Sequence, residues 1–175
     1  MSNKTLSITI DVETDWGGRS KVNSENMGIE NKLPYILDTL KKFNVKATFF
    51  VSGKLLEKYS KNIIEIKRCG HEIACHGLTH EDYSKLSEVE ILDKLSKCKK
   101  LFYDKLGVKL NGFRAPQFKT NKNLFKALSK LNFLYDSSFV KSAIPGRYNN
   151  LFFKAQPHKI YQNIIEFPIS ALSFF

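Results

Sequence analysis

Several things are scarce in this sequence, and each scarcity narrows what the chain can be. No stretch approaches the roughly 20 consecutive apolar residues that a membrane helix needs. Met1 to Ser7 is polar, with no apolar run behind a basic start. The chain is therefore expected to be soluble, unexported and cytoplasmic, with no stable membrane insertion. Cysteine is limited to Cys69, Cys75 and Cys98, an odd number without a C-x-x-C pair. That argues against a disulfide framework or a structural zinc site and fits a reduced cytoplasmic setting. Acidic residues are outnumbered, 17 against 28 Lys and Arg, for a net charge of +11. Such a balance raises nucleic acid, anionic lipid headgroups or phosphorylated substrates as partners. The lysines, however, are scattered through 54–68, 94–109 and 119–130 among apolar residues at helical spacing, as solvated outer faces would be. Zinc-finger spacing, an aromatic RNA-binding signature and a like-charge tail are all missing, so nucleic acid is not an expected partner.

What is present suits one folded domain over residues 1–175, since 42% hydrophobic and 13% aromatic residues can build one sizeable core. The pattern alternates. Leu6 to Ile10 reads as a strand, Leu33 to Leu40 as a helix with Pro34 in its first turn, and Ala47 to Val51 as a buried strand. Leu55 to Ile66 has helical spacing and stops near Gly70; Glu72 to Cys75 reads as a third strand. Ser87 and Glu90 form a capping-box pattern ahead of an amphipathic helix that ends near Gly107. Leu110 to Phe113 is a fourth strand, Asn121 caps a helix running to Leu131, and Phe133 to Tyr135 follows as a fifth strand. Phe139 to Gln162 shows no clear period, and Ile164 to Ile169 reads as a last strand. Strands alternating with helices predict parallel strands joined by right-handed crossovers, in either a doubly wound sheet or a barrel.

Polar residues collect where these strands end. Asp11, Glu13 and Asp15 follow the first strand at alternate positions, ahead of Trp16 and Gly17-Gly18; His76 and His80 follow the third; Arg114 follows the fourth. Strand carboxyl ends open into the crevice where α/β folds place their chemistry. Two histidines four residues apart, joined by one carboxylate, make a two-histidine, one-carboxylate set of the kind that belongs to catalytic metal sites. A second carboxylate beside the ion could take a proton from a water that the metal acidifies, and Arg114 could aim that carboxylate. His71 and His158 are given no role.

Ile10-Asp11-Val12-Glu13, His76-Gly77-Leu78-Thr79-His80, Phe113-Arg114-Ala115-Pro116 and Tyr135-Asp136-Ser137-Ser138, in this order and spacing, resemble the first four motifs of the polysaccharide deacetylase family, carbohydrate esterase family four. The resemblance implies a distorted, incomplete (β/α) barrel, a divalent metal, usually zinc, and hydrolysis of an N-acyl group from an amino sugar. It implies Asp11 as general base, Glu13, His76 and His80 as metal ligands, Arg114 as the residue orienting Asp11, and Asp136 in the substrate groove. Asp15 competes with Glu13 for the third ligand position. Gln117 stands where the family often has an aromatic residue, keeping the backbone amide but changing the groove wall. The family's late histidine, its general acid, has no counterpart before Phe175. The expected substrate is a nucleotide- or lipid-linked N-acylated sugar or glycan, acetyl ahead of formyl. The alternative is a catalytically weak or inactive glycan- or phosphate-binding domain on the same scaffold. The apolar run Ile164 to Phe175 further suggests self-association through the carboxyl-terminal edge.

Overall fold

The computed structural model describes residues 6–14, 28–141, 143–144, 148–149 and 154–169. Strands β1 (Ile8–Val12), β2 (Ala47–Val51), β3 (Glu72–Cys75), β4 (Gly112–Phe113) and β5 (Tyr135–Asp136) alternate with helices α1 (Leu33–Lys42), α2 (Leu56–Arg68), α3 (Glu88–Leu106) and α4 (Lys122–Lys130). A two-residue pair, β6 (Ala143–Ile144) and β7 (Tyr148–Asn149), precedes a hairpin of β8 (His158–Tyr161) and β9 (Ile164–Glu166).

The main sheet runs β1-β2-β3-β4-β5-β9-β8, parallel throughout except for the last pair. Each successive strand from β1 to β5 is laid beside the one before it. Right-handed crossovers that always advance in one direction put their helices on one face, which selects the barrel arrangement over the doubly wound one. The sheet is not closed: among the described residues β1 pairs only with β2, and β8 only with β9.

Local chemistry sets the element ends. Ser87 accepts from the Glu90 amide while Glu90 accepts from the Ser87 amide, and Gly107 ends α3 at φ +58°. Asn121 caps α4 by accepting from the Leu124 amide. Three lysines satisfy carbonyls at helix ends that the helices leave without partners. Lys46 donates to Cys69 O at the end of α2 (2.7 Å), Lys67 to Gly107 O after α3 (3.0 Å), and Lys99 to Leu131 O after α4 (2.8 Å). The helix-facing side of the sheet buries Phe49, Val51, Cys75, Phe113 and Ile164 against Ile63, Leu95, Phe102 and Leu128 in one core.

Two elements differ from the sequence expectation. Gly28–Lys32 forms a wide helical turn leading into α1, ahead of the helix start read from sequence at Leu33. Within the aperiodic segment, β8 pairs antiparallel with β9 across the two-residue turn Gln162-Asn163, with Gln162 at φ +39°. Asp15, Trp16 and Ser170 to Phe175 lie outside the described residues.

Candidate metal centre

Parallel pairing puts register partners on the same side of the sheet. Asp11 is level with Phe50, and strand alternation carries Thr9, Asp11 and Glu13 to the side away from the helices while Ile8, Ile10 and Val12 pack on the core. His76 follows the buried Cys75 and faces the same inner side; Gly77 then turns the chain at φ +80° toward His80. A side chain at Gly77 would meet Thr79 O at 2.9 Å as well as adopting an unfavourable φ, so the loop that brings the two histidines together requires glycine there.

The ligand atoms of Glu13, His76 and His80 all lie within 4.8 Å of one another. Glu13 Oε2 is 2.5 Å from His80 Nε2 and 3.4 Å from His76 Nε2. His76 is 2% exposed, and its Nδ1 faces Arg114 O at 2.9 Å. Because a carbonyl only accepts, Nδ1 carries the proton and Nε2 presents a lone pair to the centre, as a metal ligand must. Burial would raise the Glu13 carboxyl, but wherever the imidazoles of His76 and His80 are protonated their hydrogen bonds and charge outweigh it and hold the group at about 2. A deprotonated carboxylate and two imidazole nitrogens converging from one side fit a divalent cation.

Arg114 is the hub beside this set. Its Nη1 donates to Asp11 Oδ1 (2.8 Å), Nη2 to Thr9 Oγ1 (3.1 Å) and Ser137 Oγ (2.8 Å), and Nε to Ser137 O (2.9 Å). The guanidinium also lies 4.0 Å over the Phe50 ring. Buried at 3% exposure and held through four of its five N–H groups, it fixes where the Asp11 carboxylate points. Below it, the Tyr135 ring lies across Gly112, where even a methyl group would come within 2.0 Å of the ring. Asp11 and Glu13 also line a cavity of about 220 Å³ together with Thr14, Lys32 and the apolar side chains of Ile29 and Leu33.

Asp136 requires a correction. It is level with Phe113 and Glu166, hence on the helix-facing side, and is 0% exposed, so it does not line the groove that the resemblance implies. Its oxygens accept from the Ser138 amide and hydroxyl (3.1 and 2.7 Å), and Ser138 Oγ accepts from the Ala115 amide. Beside it, Glu166 Oε1 accepts from the Phe139 amide (3.0 Å), while Oε2 is buried without a donor. A proton on Oε2 shared with Asp136 satisfies both groups. Burial first, and the neighbouring Asp136 second, push Glu166 up to about 10; burial raises Asp136 too. This pair shapes the turn that holds Ser137 against Arg114. Thr9, Phe50 and Glu166 were given no role from sequence, and Ser137 was named only as a member of the fourth motif. The available signals were Thr9 two residues before Asp11, on the same strand face, and one acid inside the apolar run Ile164 to Ile169. His71 accepts from the Ala47 amide at the far end of the sheet, and His158 lies on β8.

The sequence profile of the family described as polysaccharide deacetylase matches residues 1–135. The peptidoglycan deacetylase of Helicobacter pylori is 29% identical over 140 residues, which is 76% of this chain and 48% of that protein. Among solved structures, a Mycobacterium smegmatis protein assigned as a polysaccharide deacetylase superposes with a TM-score of 0.80 at 28% identity, covering 94% of this chain and 58% of that one. A pseudoenzyme of carbohydrate esterase family four from Bacillus anthracis superposes with a TM-score of 0.60 at 25% identity, covering 73% and 41%. The chain spans less than two thirds of the length of each. With the profile matching from residue 1 to 135 and the ordered motifs gathered at one end of a shared fold, the chain belongs to the polysaccharide deacetylase family.

Proposed function

We propose that the chain carries the metal- and base-bearing part of a hydrolase that removes an N-acyl group, acetyl ahead of formyl, from an amino sugar in a glycan or glycan precursor. The observation that supports this most is the pairing of the Glu13, His76 and His80 set with an Asp11 carboxylate aimed by Arg114 on the same strand end. Zinc suits one carboxylate and two imidazoles. When bound it would supply a Lewis acid for the amide carbonyl and an acidified water. Asp11 takes the proton from the attacking water as hydroxide adds to the acyl carbon. Cleavage of the C–N bond then releases the sugar amine, which needs a proton, and the carboxylic acid. The Asp11 carboxyl, which carries the proton taken from water, returns it to the leaving nitrogen. Arg114 keeps that carboxyl in place through both transfers, and a cytoplasmic setting belongs to the same reading.

One observation favours a second reading, a binding domain without turnover. The Bacillus anthracis neighbour on the same fold is described as a pseudoenzyme of the family. Incubating the zinc-loaded chain with a panel of N-acetylated and N-formylated sugars, glycan fragments and nucleotide sugars separates the two. Acetate or formate released by the parent and lost in Asp11→Asn supports hydrolysis. No release from any substrate, with glycan binding retained in both, supports the binding domain.

A further inference from the structure

The pole of the molecule opposite the metal centre carries a feature that neither reading uses. In a parallel sheet every strand starts, and every connecting helix ends, at one pole, and here charge is sorted along that axis. First turns at the metal end carry Glu57, Glu88 and Glu90, with no acid in those of α1 and α4 and Lys122 opening α4, whereas last turns at the far end carry Lys41, Lys42, Lys67, Arg68, Lys105 and Lys130. Part of this is ordinary compensation of helix dipoles, and Lys46, Lys67 and Lys99 are occupied by helix-end carbonyls.

Dipole compensation leaves two facts without an account. Lys109 stands in the loop before β4, outside any helix; like burial, which is the larger cause, its charge depresses the Lys99 ammonium, as expected of adjacent like charges. Three large apolar side chains are also exposed at this pole, Phe43 at the end of α1 (67%), Tyr103 in the last turn of α3 (63%) and Leu134 just before β5 (55%), against Tyr35 (71%) and Val89 (76%) in first turns at the metal end. Phe43 directly follows Lys41-Lys42, and Tyr103 precedes Lys105 by two residues. Of the acids nearby, Glu65 pairs with Arg68 and Asp104 with Lys100 within their own helices and Glu72, at the start of β3, accepts from the Thr48 hydroxyl, while no ion pair among the described residues involves Lys41, Lys42, Lys105 or Lys109.

We propose that this pole is a docking surface for an anionic phospholipid bilayer, with Lys41, Lys42, Lys105 and Lys109 at the headgroup phosphates and Phe43, Tyr103 and Leu134 in the interface. Lysines alone would suit any polyanion, because counterion release needs only charge. Exposed apolar side chains at the same pole gain nothing from a hydrated polymer but gain from the headgroup–acyl boundary. Docked this way, the metal centre faces away from the membrane. The inference does not rest on the proposed hydrolysis.

Co-sedimentation of the full chain with vesicles of phosphatidylcholine, or of phosphatidylcholine with one quarter phosphatidylglycerol, tests it. Binding is expected to the anionic vesicles only and to weaken with salt. Reversing Lys41, Lys42, Lys105 and Lys109 to Glu should lower affinity on the order of 10³-fold, since each lysine near such a surface contributes about a factor of five. The same charge change at the metal end, Lys54→Glu with Lys85→Glu, Lys119→Glu and Lys122→Glu, should leave binding within a few-fold of the parent. Phe43→Ser with Tyr103→Ser and Leu134→Ser should cost at least about tenfold, with circular dichroism confirming that each variant is folded. No preference for anionic vesicles, or equal loss in the two lysine sets, overturns the proposal. So does parental binding by the apolar variant, which would assign the surface to a soluble polyanion such as inorganic polyphosphate.

Discussion

Arg114 shows how much one buried side chain can organise. Its four hydrogen bonds reach Asp11 and Thr9 on β1 and both Ser137 oxygens after β5, so it ties the first strand to the fifth across the inner face of the sheet. Lysine offers a single ammonium in place of a planar fork. Arg114→Lys is therefore expected to keep the metal site, since His76 leans on the Arg114 carbonyl rather than its side chain, yet to lower acyl release by about 10² or more as Asp11 loses its aim. Metal titration beside initial-rate measurement checks both parts; unchanged rates would contradict the role given to Arg114. Glu166 makes a different prediction. Its carboxyl is raised from 4.5 to about 10, so between those values the folded chain holds a proton that the unfolded chain has released, and stability falls as pH rises through that window. Raised Asp136 adds to the loss at the acid end. Glu166→Gln keeps a donor for Asp136 and an acceptor for the Phe139 amide but cannot titrate. Urea unfolding between pH 5.5 and 9 should show a steeper loss for the parent, by at most about 1.4 kcal/mol per pH unit, than for the variant. Parallel curves would mean that the pair shares no proton.

At the scale of elements, α3 was the most legible part of the sequence because its signals are local. The Ser87 and Glu90 capping box, the apolar stripe and the Gly107 stop each act within a turn of the chain, and all are present in the structure. Ser87→Ala removes the cap and should cost about 1 kcal/mol, seen as a fall in Tm of about 2–4 °C for a chain of this size; no fall would show that packing alone fixes that end. The short strands were legible for the opposite reason, as brief apolar runs between helices, although β4 and β5 retain only two paired residues each. What the sequence did not reveal depends on partners far along the chain. The side on which Asp136 lies follows from its register with Phe113 and Glu166, so motif position alone put it in the groove and pairing moved it behind the sheet. Strand β8 was passed over because Gln162-Asn163 is not one of the glycine-bearing hairpin turns and His158-Lys159-Ile160-Tyr161 carries no apolar–polar alternation.

For the molecule as a whole, strand order explains why the site is where it is. Laying β1 to β4 side by side in chain order brings the ends of β1, β3 and β4 to one rim, and with them Glu13, the two histidines and Arg114, which are up to 101 positions apart in sequence from Glu13 to Arg114. The resemblance implied that Glu13 joins the histidines while Arg114 orients Asp11, and the fold brings each of these groups within reach of its partner, with Glu13 two residues beyond Asp11 on the same strand face. That division of labour between two carboxylates is the centre of the account. Equilibrium dialysis of the parent, His80→Ala, Glu13→Ala and Asp11→Asn against zinc tests it most directly, with circular dichroism reporting the fold. One zinc per chain is expected in the parent and in Asp11→Asn, with loss of stoichiometric binding in His80→Ala and Glu13→Ala. Full zinc in Glu13→Ala, or its loss in Asp11→Asn, would contradict it.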